Sequence, residues 1–60
     1  MKIDYAELSA SQRVAVNRAH YEYVKNGVLD TVTVFDINYA GLDLDVLLDQ
    51  FDHGLFPTTH

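Results

Sequence analysis

The sequence predicts an all-α domain, a small three-helix bundle with helices near residues 10–26, 31–40 and 44–53. Three observations carry that reading. Helix start signals stand at Ser9, Asp30 and Asp43, and stop signals stand at Gly27, Gly41 and Gly54. Apolar residues recur at three- and four-residue steps between them. A 60-residue chain holds one domain, here 1–60, and buries only about 60% of the surface it exposes when unfolded. Its stability margin is therefore a few kcal/mol.

The first helix opens on Ser9-Ala10-Ser11-Gln12, a capping box, and ends at Asn26-Gly27 with Lys25 in the last turn. Val14, Tyr21, Val24 and Val28 read as its core-facing stripe, widened by Ala15 and Ala19. Arg18 and Glu22 are spaced to pair on the outside. Upstream, Asp4-Tyr5-Ala6-Glu7 is a second capping box and suggests a short turn at 4–8.

Residues 30–40 carry opposing signals. Propensity favours a strand, since two Thr, two Val, Phe and Ile lie close together. Periodicity favours a helix: Val28, Val32, Phe35, Tyr39 and Leu42 form one continuous stripe, and no second good strand exists for pairing. Helix is the preferred reading, with residues 31–37 as a strand the competing one. The third helix follows Asp43, with Leu42 and Leu47 placed as a hydrophobic staple. Leu44, Leu47, Leu48 and Phe51 form its apolar face, Leu55-Phe56 folds back to cap the core, and Thr58-Thr59-His60 frays.

Charge is divided along the chain. Residues 1–27 carry Lys2, Arg13, Arg18 and Lys25 against Asp4, Glu7 and Glu22, a balance of +1. Residues 28–60 carry six Asp and neither Lys nor Arg, a balance of −6, which makes the net charge −5. Asp45, Asp49 and Asp52 fall at i, i+4 and i+7, in one row on the third helix, and Asp36 and Asp43 are placed to extend it. Neighbours on such a row stand about 5–6 Å apart, comparable with the charge spacing of a nucleic-acid strand, about 3.4 Å. The row reads either as a face for a basic surface or as a solubilising face; an ordinary solvated face mixes both signs.

Other chemistries fit poorly. There is no cysteine, so neither disulfide nor thiolate site is expected. Asp49 and His53 at i,i+4 with Asp52 could touch a metal only if Asp36 or His20 joined them, and no zinc or EF-hand pattern occurs; an Asp49–His53 hydrogen bond favouring protonated imidazole is the plainer reading. Ser9 and Ser11 are needed as caps, and the three glycines make neither a phosphate cradle nor a nucleophile turn. An enzyme is not expected, nor is a cofactor. Direct nucleic-acid binding would bring the aspartates of the third helix against phosphates, with only Arg13, Arg18 and Lys25 to compensate. No apolar run reaches the ~18 residues of a membrane span, and no signal-peptide core follows Met1.

The expected function is an acidic protein-interaction module that binds, and inhibits or modulates, a partner protein with a basic surface, a nucleic-acid-binding surface among the candidates. Asp36, Asp43, Asp45, Asp49 and Asp52 would steer the encounter, with Tyr23 and Tyr5, off the core stripes that take Tyr21 and Tyr39, as anchors. The chain reads as a complete small reading frame acting in the cytoplasm. By analogy alone, acidic frames of this size often serve viruses of bacteria by blocking a host enzyme, in which case the cytoplasm is the host's. The alternatives are a homo-oligomeric structural or assembly protein, such as a homodimer in which the first helix of one copy meets the acidic half of another, and a small DNA-binding regulator.

Overall fold

A computed structural model describes residues 2–54 and consists of three α-helices preceded by a 3-10 turn, Tyr5–Glu7. The helices are α1 (Ala10–Asn26), α2 (Thr31–Tyr39) and α3 (Leu44–Asp52). Among the described residues there is no strand, so the helical period of residues 31–39 outweighs their β-branched composition. The expected capping of the core by Leu55-Phe56 and fraying of residues 58–60 lie outside the described residues.

The start and stop signals act as their chemistry dictates. Ser9 Oγ accepts the Gln12 N–H while Gln12 Oε1 accepts the Ser9 N–H, closing the capping box of α1. Gln12 also donates from Nε2 to the Ala40 carbonyl at 3.0 Å, so one amide caps α1 and ties down the end of α2. Asp43 accepts from the N–H groups of Asp45 and Val46. Gly41 (φ 79°) closes α2 in a Schellman arrangement: its N–H donates to the Asn38 carbonyl, and Leu42 N–H donates to the Ile37 carbonyl.

Asp30 behaves otherwise. It occupies the N-cap position of α2, but its side chain makes no capping bond. Glu22 of α1 supplies the acceptor instead. One carboxylate oxygen takes the Asp30 N–H at 3.1 Å and the other takes the Thr33 hydroxyl at 2.7 Å. This bond is what allows Thr33 to be fully buried: its hydroxyl brings its own acceptor into the helix junction. Glu22, Arg18–Asp36 and Gln12–Ala40 pair successive levels of α1 and α2, which makes them an antiparallel hairpin.

The core consists of Val16 and Ala19 from α1, Ile37 from α2, and Leu47 and Phe51 from α3. Leu44 and Leu48 pack against it, as the leucine face of α3 predicts. His20 stacks on Phe51 with ring centroids 4.8 Å apart. Gln50 is also buried, and it clamps the N-terminal segment: Oε1 accepts the Ile3 N–H at 2.7 Å and Nε2 donates to the Ile3 carbonyl at 3.0 Å.

The inward faces of α1 and α2 differ from the sequence expectation. Val14, Tyr21, Val24 and Val28 point to solvent, as do Val32, Phe35 and Tyr39, and of the second stripe only Leu42 reaches the core. Tyr39 is 96% exposed and Phe35 71%, whereas Ile37 is 0% exposed. The tyrosines exchange roles: Tyr21 and Tyr39 are outside, and Tyr5 and Tyr23 pack against the core. Small residues take the inward positions instead: Ala19 and Thr33 are fully buried and Ala15 packs against the core, while the larger rings stay outside.

Candidate functional site

Two faces of the molecule present features that packing does not require. The first is the outer face of α3. The helix buries Leu47, Gln50 and Phe51, so the 3.6-residue period turns Asp45, Asp49 and Asp52 outward, and all three are exposed along with Asp43. Among the described residues none of these four carboxylates pairs with a Lys or Arg. Two have local partners. Asp52 accepts a 2.6 Å hydrogen bond from the Tyr23 hydroxyl, and this bond holds the Tyr23 phenol above its ordinary value of 10.0. Asp49 meets His53 twice, with its carbonyl 2.8 Å and its carboxylate 3.6 Å from Nδ1, and this contact raises the imidazole above 6.5.

Asp36 does not extend that row. It turns toward α1, where Oδ2 lies 3.6 Å from Arg18 Nη1. The anchors chosen from sequence are likewise engaged within the chain. Tyr23 is half-buried, tilted against Phe51 and bonded to Asp52. Tyr5 donates to Asn17 Oδ1 at 3.0 Å, and the Arg13 guanidinium lies over its ring.

The second face was not anticipated. Arg18, which also approaches Glu22 at 3.5 Å, bridges a groove of about 350 Å³ between α1 and α2. Val14 and Tyr39 line the groove from opposite helices. On α1 the same row continues to Tyr21, whose hydroxyl accepts from Lys25 Nζ at 3.3 Å. On α2 it continues through Phe35 and Val32, one and two turns before Tyr39. The sequence carries this face as two apolar stripes, which apart from Leu42 turn to solvent and not to the core. A smaller hollow of about 260 Å³ lies between α2 and α3, lined by Tyr23, Val28, Leu29, Val34, Leu44 and Leu48.

The cations of the first half have structural duties. Arg13 donates to the carbonyls of Tyr5 and Ala6 and so fastens the 3-10 turn to α1. Arg18 spans α1 and α2, and Lys25 sits over Tyr21. Among the described residues no three His, Asp or Glu side chains gather as a metal site needs, and no helix is long and apolar enough to cross a membrane. Comparison with family models, with curated proteins and with solved structures finds no match for this chain.

Proposed function

We propose that this chain is a small protein-interaction module whose α3 face docks on a positively charged surface of a partner protein in the cytoplasm. The observation that carries this reading is the outer surface of α3. Four exposed carboxylates lie along it, none of them neutralised by Lys or Arg within the described residues. A face of one sign steers encounter with its opposite and repels like-charged competitors. It works chiefly on association rate, and rising salt weakens it. Where the basic surface is one that its owner uses for nucleic acid, docking there inhibits that owner by occupation. Direct binding of nucleic acid is disfavoured, because α3 repels phosphates and each cation of α1 already has an intramolecular partner.

The test is capture from a bacterial lysate with the immobilised chain, at low and at high salt, read by mass spectrometry. The wild type should retain a basic protein that high salt releases. Asp45→Lys with Asp49→Lys should lose it while the far-ultraviolet circular dichroism stays helical. Asp45→Asn with Asp49→Asn should bind at an intermediate level. An identical captured set in all three proteins would refute the assignment.

A further inference from the structure

We infer that the exposed apolar face of α1 and α2 is the interface of a two-fold homodimer, a site separate from α3 and independent of the partner reading above. Val14, Tyr21, Val32, Phe35 and Tyr39 make up this face. A covered aromatic side chain contributes about 150–250 Å². Three of them with two valines therefore form a patch of several hundred Å². That is comparable with the largest patch of an ordinary monomer, ~300–600 Å², a size often tied to function, and it makes up the greater part of the ~800 Å² that each partner contributes to a stable interface.

Charge selects the occupant. Each copy carries −5, so two copies repel over most of their surface. The α1/α2 face is the exception, because Arg18 and Lys25 there are balanced by Glu22 and Asp36. A second copy meets no net repulsion at this face, whereas at α3 it would meet four aspartates. A strongly basic partner has the opposite preference and gains nothing from a balanced face.

The Arg18–Asp36 pair suits a two-fold contact in particular. Its side chains are 53% and 48% exposed and 3.6 Å apart, so each group keeps hydrogen-bonding capacity toward the neighbour. Under a two-fold axis every Arg18-to-Asp36 contact between copies occurs twice. A contact of α1 on α3 would leave Val32, Phe35 and Tyr39 of α2 uncovered. The dimer also adds burial to a chain whose own core is small.

Sedimentation equilibrium of the full chain, from about 1 µM to about 1 mM, tests this directly over the relevant affinity range. The inference expects a dimer that persists at about 1 M salt, since apolar contact is not screened. Phe35→Asp with Tyr39→Asp should weaken it at least about tenfold while leaving the helical spectrum unchanged, and the milder Val14→Ser with Tyr39→Ser should weaken it too. A monomer throughout the range contradicts the inference. So does a dimer that survives both substitutions, and so does one that dissolves in salt, which would mark an α1-to-α3 charge contact instead. Because no partner protein enters the experiment, its result leaves the reading of α3 standing or falling separately.

Discussion

Arg18 and Asp36 meet at 3.6 Å across the α1/α2 groove, with about half of each side chain in water. A pair so exposed contributes about 0–1 kcal/mol. It cannot be what holds the hairpin closed. The buried contacts beneath it must do that, and they assign opposite weights to residues that look alike in the sequence.

Ile37 and Phe35 stand two residues apart on α2 and separate the two possibilities. Ile37→Ala removes a fully buried side chain and should cost about 2–5 kcal/mol, enough to unfold much of a chain with so small a margin. Phe35→Ser should change stability by no more than about 0.5 kcal/mol in dilute solution, where dimer formation does not contribute. Urea denaturation of both variants reads the difference, and equal losses would mean that α2 faces the other way.

Gln50 should matter more than a polar residue usually does. Gln50→Ala breaks both bonds to Ile3 and leaves a partly buried N–H and carbonyl without these partners. The expected cost is about 1–3 kcal/mol. Faster amide exchange at Ile3 should accompany it, and unchanged exchange there would show that the clamp does not form.

The stability contributed by Glu22 is acid-sensitive. The Thr33 hydroxyl, then the Asp30 N–H and the Arg18 guanidinium, hold its carboxyl below the ordinary 4.5 in the folded protein. A depressed carboxyl stabilises fully above the unfolded value, and the contribution is lost as pH falls through the folded one. The melting temperature should therefore fall as pH drops below the ordinary carboxyl value of 4.5, and less steeply in Glu22→Gln. A variant that follows the wild-type curve would remove Glu22 from that role.

His53 runs in the opposite sense. Its contact with the Asp49 carbonyl and carboxylate raises the imidazole above 6.5, so its contribution is complete below that value and fades as pH rises through the folded one. A proton NMR titration should place His53 above 6.5. In Asp49→Asn the value should drop toward it, because the carboxylate charge is lost and the carbonyl contact remains. No change on substitution would assign the shift to the Asp49 carbonyl and the Asp52 charge, without the Asp49 carboxylate.

The legible parts of the fold were those written in a single residue type with one local job. Ser9, Asp43 and Gly41 act through their nearest backbone neighbours, so caps and boundaries follow from the chain itself. The leucine face of α3 was legible because its opposite face is aspartate. α2 has apolar residues on nearly every side, and α1 has them on two, so three- and four-residue spacing is satisfied by more than one stripe. Stripe spacing places Tyr21 and Tyr39 in the core, whereas the folded chain buries Ala19 and Thr33 and leaves both rings outside. The burial of Thr33 depends on Glu22, eleven residues earlier, and that of Gln50 on Ile3, 47 residues earlier. Neither long-range bond leaves a periodic trace. Exposure of the α3 aspartates could be read from period alone, whereas the turn of Asp36 toward Arg18 required the packing of one helix on another.

On the proposed reading, α3 presents its aspartates to a basic partner. The direct measurement is calorimetric titration of the captured partner, across a series of salt concentrations, into wild type, Asp45→Asn with Asp49→Asn, and Phe35→Ser with Tyr39→Ser. Wild-type affinity should fall steadily with salt, binding should be at least about tenfold weaker with a shallower salt dependence without the two aspartates, and the α1/α2 variant should change little. Salt-independent binding, or binding lost in the α1/α2 variant and kept in the α3 variant, would contradict that reading.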